Sequence, residues 1–306
     1  PPPPPPPPRL DSSAASDVYK RQTSPRGLTA HVDTLGAMVK EIKSNGRLKL
    51  TQLGGYAWNT IEGEGCTVLS GNGEQVRGTV LLNKASTHVH GKEVGSTERS
   101  GDTLEVRLDL KTSSAEDTRA AGIEVGDYVV FDPRVEINND FIRSRHLDDK
   151  ACVACLLAGV KALYQADLQP AQDTTLHFSN YEEVGHGAST GFPVNLRELV
   201  AVDMAAIGAG QTSDEFHATL CVKDSGGPYH HGLNQRLRSL ADEYDIPYKV
   251  DIYPYYGSDG EAFWRAGGDV AVALIGPGVD ASHSYERTHL EALLGTTRWI
   301  MAYLLN

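Results

Sequence analysis

Cysteine is scarce in this 306-residue sequence. Cys66, Cys152, Cys155 and Cys221 are too few for a disulfide framework in a chain of this length, so the thiols read as reduced. Long apolar runs are missing too: no stretch approaches the about eighteen uninterrupted apolar residues that a membrane helix needs. No apolar core follows a basic head at the N-terminus, and the expected location is cytoplasmic. Basic charge is in deficit, with 28 Lys and Arg against 40 Asp and Glu and a net charge of −12. That balance argues against bulk binding to nucleic acid or an anionic membrane, since both require a basic stripe, but it leaves a local site open. Internal repeats are absent. What remains, 40% hydrophobic and 22% charged residues, suits a folded chain of one large or two modest domains.

Composition divides the chain. Eight prolines open it, and Arg9 to Gln22 follow without apolar period, so residues 1–26 are expected to be disordered. Asp11 to Gln22 reads as translated non-coding or adaptor sequence; a native proline-rich partner motif is the alternative. From Leu28 the texture changes to short β-rich runs punctuated by turn residues. Strands are expected at Met38–Ile42, Leu48–Leu53, Cys66–Ser70, Thr79–Leu82, Thr103–Leu110 and Tyr128–Phe131, with turns at Asn45-Gly46 and Asn72-Gly73. Helical spacing then covers Asp148 to Ala166 and opens an α/β pattern. Strands are expected at Thr174–Phe178, Leu199–Asp203, Phe216–Val222, Tyr248–Tyr253 and Val270–Ile275. Helices are expected near Gly232–Tyr244, at Ser258–Arg265 and from Leu290 onward.

In open α/β sheets functional groups gather at the carboxyl ends of strands. Five such places carry imidazole or carboxylate: His31-Val32-Asp33, Leu147-Asp148-Asp149, Asn180 to Gly185 with Glu182-Glu183, Asp203, and His283. Two imidazoles and three or more carboxylates suit a pair of borderline divalent ions such as zinc, cobalt or manganese, and the lack of thiolate argues against a structural zinc site. One carboxylate can bridge two such ions. Adjacent Glu182 and Glu183, if they point apart, let one bind metal while the other serves as general base.

The order His31-x-Asp33, Asp148-Asp149, Glu182-Glu183, Asp203, His283 resembles that of the glutamyl and deblocking aminopeptidases, dinuclear metalloenzymes whose members commonly assemble as tetrahedral dodecamers. Related metallopeptidases share the ligand order. The distinguishing feature is a β domain between the first His and the bridging Asp, and here Asp148 follows His31 by 117 positions. Val125-Gly126-Asp127 and Tyr256-Gly257-Ser258-Asp259-Gly260 extend the likeness, which runs from about Gly27 to the C-terminus.

The resemblance implies an α/β fold, with a mixed-sheet catalytic domain of the zinc-dependent exopeptidase type at 27–37 and 138–306. Residues 38–137 would form an inserted β-barrel-like domain serving oligomerisation. His31 and Asp203 would hold one ion, Glu183 and His283 the other, with Asp148 bridging; Glu182 would be the base, and Asp33 would fix the ring of His31 from behind. A cis peptide after Asp148 is implied as well. Relatives carry more chain before the first His, so the sequence reads as truncated at its start. The expected activity is hydrolysis of N-terminal residues from peptides by a water activated by two divalent ions. The alternatives are a dinuclear deacylase or carboxypeptidase, or an inactive metal-binding scaffold. A glucanase ranks low, because no sugar-binding aromatic platform is evident.

Plainer readings compete at single positions. His31 alone could cap backbone inside a core, Glu182-Glu183 could be a solvated acidic turn, and Asp203 a loop carboxylate. Cys152-x-x-Cys155 lies in an apolar helical run and reads as core rather than redox or zinc motif. His88 and His90 read as surface or interface. His230-His231 opens a helix and could line the site. Tyr253, Tyr255 and Tyr256 read as core and interface, and Asp259 as a helix cap. Spacing alone leaves His289 as a rival to His283.

Overall fold

The computed structural model describes residues 24–306; the disorder expected of residues 1–23 lies outside the described residues. Strand β1 (Arg26–His31) is buried along its whole length and leads into six strands, β2 (Gly36–Ile42), β3 (Leu48–Leu53), β4 (Gly65–Leu69), β5 (Gln75–Leu82), β6 (Leu104–Leu108) and β7 (Tyr128–Phe131). These close an antiparallel barrel in the order β2-β3-β6-β5-β4-β7. Alternation directs the interior: in β7, Val129 and Phe131 face inward while Tyr128 and Val130 face out. Val39, Leu50, Val68, Val80 and Val106 meet them in the barrel core. The Asn72-Gly73 turn joins β4 to β5, with Gly73 at φ 89°, the left-handed region that glycine enters without penalty.

Beyond the barrel, β8 (Glu136–Asn138) and β9 (Phe141–Ser144) lead into helix α1 (Leu147–Gln165). The rest of the chain alternates: β10 (Thr174–Ser179), β11 (Glu198–Val202), β12 (Ala205–Ala206), β13 (Ala218–Asp224), β14 (Gly227–Pro228), α2 (His231–Glu243), β15 (Tyr248–Ile252), α3 (Asp259–Arg265), β16 (Ala271–Val279), β17 (Glu286–His289) and α4 (Leu290–Leu305). The main sheet runs β10-β1-β11-β16-β13-β14, with β12 on β16 and β15 on β13. Strands β10, β1, β11 and β16 are parallel, whereas β13 meets β16 antiparallel, so the sheet is mixed.

Both faces are covered, which explains the near-continuous apolar runs of β11 and β16. Leu28, Val200 and Ile275 pack with Leu156 of α1, Leu237 of α2 and Trp299 of α4. On the opposite face Leu199, Ala201 and Leu274 pack with Phe263 and Trp264 of α3. Cys152 and Cys155 are buried in the first of these cores.

The expected strands and helices are present, with ends displaced by up to four residues. Unforeseen were β8, β12, β14, β17 and three short helices at Thr87–His90, Glu93–Ser96 and Ala115–Ala120; such short segments display too little periodicity. The barrel begins at Gly36 and ends at Phe131, while β8 instead joins β9 and β17 in a separate three-stranded sheet. One expectation is corrected. Residues up to 26 were expected to be disordered, yet Arg26 opens β1 and is 1% exposed. Its guanidinium donates to the Leu304 carbonyl at 2.6 Å, at the C-terminal end of α4, where unpaired carbonyls attract cations. Among the described residues no helix is long and apolar enough to cross a membrane.

Candidate metal centre

Parallel pairing aligns the carboxyl ends of β1 and β10, so that His31 stands level with Ser179. The chain beyond β10 carries Glu182 and Glu183, and the end of neighbouring β11 carries Asp203. Asp148 arrives from outside the sheet, at the start of α1, and its peptide bond to Asp149 is cis. His283 comes from the loop before β17, which pairing with β9 draws toward the same place.

All five expected ligands converge. Ligand atoms of His31, Asp148 and Asp203 lie within 4.8 Å of one another, as do those of Asp148, Glu183 and His283. Asp148 belongs to both groups, and its two oxygens face different rings: Oδ1 is 3.0 Å from His31 Nε2, and Oδ2 is 3.4 Å from His283 Nε2. Each imidazole turns Nδ1 to a backbone carbonyl, His31 to Asp33 at 3.2 Å and His283 to Gly55. A ring that donates its Nδ1–H in this way presents the Nε2 lone pair on the other side, the tautomer that suits metal ligation.

Glu182 and Glu183 occupy a single turn of 3-10 helix between left-handed Tyr181 and Gly185. The turn sends the two side chains apart: Glu182 Oε2 lies 3.8 Å from His31 Nε2, and Glu183 Oε2 lies 3.8 Å from His283 Nε2. The carboxylate of Asp33 braces this turn, accepting the Glu182 and Glu183 N–H groups at 3.2 and 3.1 Å. Its Oδ1 is 3.5 Å from the His31 ring, farther than its own carbonyl.

The cluster concentrates negative charge away from water. Burial, reinforced by Asp148, pushes the Glu182 and Glu183 carboxyls well above their usual range, and Asp203 likewise. Burial opposes ionisation of Asp148 too, but its hydrogen bonds to His283 and His31 outweigh it and hold that carboxyl below the usual range. Burial would lower His31, yet its bonds to Asp148 and Asp33 raise it well above an ordinary imidazole. Glu183 Oε1 is buried with no hydrogen-bond partner among the described residues. An orphaned carboxylate oxygen, a carboxylate facing two imidazoles and an all-nitrogen-and-oxygen donor set together fit divalent cations.

One residue escaped the sequence reading. Glu286, 2% exposed at the start of β17, accepts the Asp148 N–H through Oε2 and the His283 N–H through Oε1, both at 3.0 Å. Its position three residues after His283 was the available signal. Asp149, wholly buried behind the cluster, accepts the His31 N–H at 3.2 Å. Asp259 is more than a cap: its carboxylate ties Thr29, Ser179 and the Ala188 N–H together beneath the cluster.

The other candidate histidines lie apart. His289 caps α4, accepting the Glu291 N–H, with its ring centroid 4.7 Å from that of Phe141. His230 caps α2 and accepts from Leu233. His88 is exposed on the barrel. Tyr256 donates its hydroxyl to the Met204 carbonyl at 2.7 Å on the wall of a cavity of about 710 Å³ that contains Asp148, Glu182, Glu183, Asp203 and His283.

Residues 15–298 match the family described as M42 glutamyl aminopeptidase. YhfE of Bacillus subtilis, whose aminopeptidase name is itself an assignment, is 49% identical over 280 residues, covering 91% of this chain and 81% of that protein. Among solved structures, an aminopeptidase of the archaeon Desulfurococcus kamchatkensis superposes with a TM-score of 0.81 at 23% identity, over 93% of this chain and 80% of its own. The TET1 peptidase of Pyrococcus horikoshii, described as assembling into a tetrahedron or a large octahedral shell, superposes with a TM-score of 0.80 at 20% identity, over 94% and 85%.

Proposed function

The chain belongs to the M42 glutamyl aminopeptidase family, and from that premise we propose that it is a metal-dependent aminopeptidase with two divalent ions at the cluster described. The observation that carries this reading is the carboxylate of Asp148, whose two oxygens face His31 and His283 separately. His31 and Asp203 would hold one ion and Glu183 and His283 the other, with Asp148 shared between them. Zinc, cobalt and manganese all suit these donors. When bound, such ions supply Lewis acidity toward the scissile carbonyl and make water a better nucleophile near neutral pH.

The remaining steps belong to the chain. Glu182 takes a proton from the attacking water and returns it to the leaving amine. Asp33 fixes the backbone of the Glu182-Glu183 turn, so that the base keeps its aim while Glu183 remains a ligand. Asp203 and Asp148 also bear on positioning, since displacement of either ligand misplaces the reacting groups. The barrel is assigned to assembly and the chain to a cytoplasmic homo-oligomer, a dodecamer by analogy with the family, whose substrates are peptides.

Chelated protein reloaded with zinc, cobalt or manganese and assayed on free-amine aminoacyl substrates and their N-acetylated counterparts tests the proposal. About two ions per chain, with metal-dependent cleavage confined to free amines, is the expected result. Faster cleavage of acetylated substrates would replace it with a deacylase, and stoichiometric metal without turnover with an inactive scaffold.

A further inference from the structure

Two parts of the wall of the cavity that contains the cluster come from segments well apart in sequence. One is the loop after β12, through Gly208, Ala209 and Gln211; the other is the segment after β15, through Tyr253 to Gly257. Neither is strand or helix, so each keeps its place only by what holds it from behind. Behind both stands one carboxylate. Asp251, 7% exposed in β15, accepts through Oδ2 the Thr212 and Ser213 N–H groups at 2.8 and 2.9 Å and the Ser213 hydroxyl at 2.8 Å. With its own proton given to Asp251, Ser213 Oγ is left to accept, and the Tyr253 hydroxyl donates to it across 2.6 Å. Ser213 and Tyr253 are both buried, so these bonds do not compete with water. Thr212 adds a bond from Oγ1 to the Val250 carbonyl at 2.8 Å. The end of the loop is seated on β16, where the Asp214 carbonyl oxygen lies 1.9 Å from the place that a Cβ on Gly278 would occupy.

We propose that the chain of hydrogen bonds from Tyr253 through Ser213 to Asp251 fixes the width of the substrate cavity, and with it the selectivity among N-terminal residues. Asp251 and Ser213 act as positioning residues behind the walls. The inference rests on the aminopeptidase reading, since a residue cleaved at the cluster extends its side chain into the same cavity. A hydrophobic pocket separates substrates that differ by one methylene by about 10–200-fold, and only while its walls hold still. Asp251→Asn sets an amide donor or a weaker acceptor against the three donors and frees both segments. Tyr253→Phe keeps the ring and cuts only the link between them.

The test compares metal-loaded wild type, Asp251→Asn, Ser213→Ala and Tyr253→Phe on alanyl, leucyl, phenylalanyl and lysyl anilides. Calorimetric binding of the corresponding free amino acids runs beside it and requires no turnover. The spread of kcat/KM between best and poorest substrate should narrow by about tenfold in Asp251→Asn, through KM, while kcat moves by less than about twofold. Ser213→Ala and Tyr253→Phe should narrow it less, and combining them should add nothing to Ser213→Ala alone, because they act through one chain. An equal loss on every substrate, or an unchanged spread in Ser213→Ala and Tyr253→Phe, overturns the proposal whether or not Asp251→Asn folds. Narrowed selectivity in amino-acid binding without turnover of any anilide would keep the chain as the setter of cavity width while removing the aminopeptidase reading.

Discussion

His31 and Asp148 are 117 residues apart in sequence, yet His31 Nε2 lies 3.0 Å from Asp148 Oδ1. The barrel fills the interval between them, and its closure returns the chain to the end of β1. With the Nδ1 proton given to the Asp33 carbonyl, this short approach of an imidazole nitrogen and a carboxylate oxygen needs a positive charge, either a second proton on the ring or a cation shared by both. The other Asp148 oxygen repeats the arrangement with His283.

Glu182 is the first residue to test. Glu182→Gln keeps the side chain's shape but cannot accept the proton, so kcat should fall by about 10²–10⁴ while two ions remain bound. Metal analysis beside steady-state kinetics checks both halves, and full activity in the variant would remove Glu182 as the base.

Asp33 braces the turn rather than the ring alone. In Asp33→Ala the N–H groups of Glu182 and Glu183 lose their acceptor, and both the proposed base and a proposed ligand are loosened. Metal affinity should drop by about 10–100-fold, with a fall in kcat that saturating metal does not fully restore. Titration with cobalt, followed by its visible absorption, separates the two effects.

Glu286 accepts one N–H from each of two proposed ligands, Asp148 and His283. Glu286→Gln turns an amide donor toward one of those N–H groups, so metal affinity should fall by about tenfold or more. A change in stability with unaltered affinity would reduce Glu286 to a structural residue.

Glu105 in the barrel tests stability against pH. It is 2% exposed and binds Lys43 at 2.9 Å and Arg47 at 2.5 Å. Burial would raise its carboxyl, but the two cations outweigh this and hold it below the ordinary value of 4.5. A folded-state value below the unfolded one stabilises above pH 4.5 and is lost as pH falls through the lowered value. Urea melts of Glu105→Gln should therefore show a loss of about 1–2 kcal/mol at neutral pH that shrinks under acid. A constant difference across that range would show that the pairing is not its source.

Local pattern made much of this molecule legible. Alternation and Asn-Gly turns marked the barrel strands, because a strand with one face in a core shows period two. Apolar runs followed by polar clusters marked the sheet and placed His31, Glu182-Glu183 and Asp203 at strand ends. The family likeness supplied the pairing of ligands with ions, which spacing alone left open between His283 and His289.

Tertiary structure decided what depends on direction and distant partners. That His283 rather than His289 stands beside Asp148 follows from pairing of β17 with β9, two strands too short to announce themselves. Asp33 stands at the His31 ring as expected, 3.5 Å from Nδ1, and its carboxylate also braces the turn after β10, because parallel pairing of β1 with β10 puts the two strand ends side by side. Arg26 joined β1 because the end of α4 offers it carbonyls 278 residues away. Glu286 is a single acidic residue in sequence, and only the groups folded around it show a carboxylate that accepts an N–H from both Asp148 and His283.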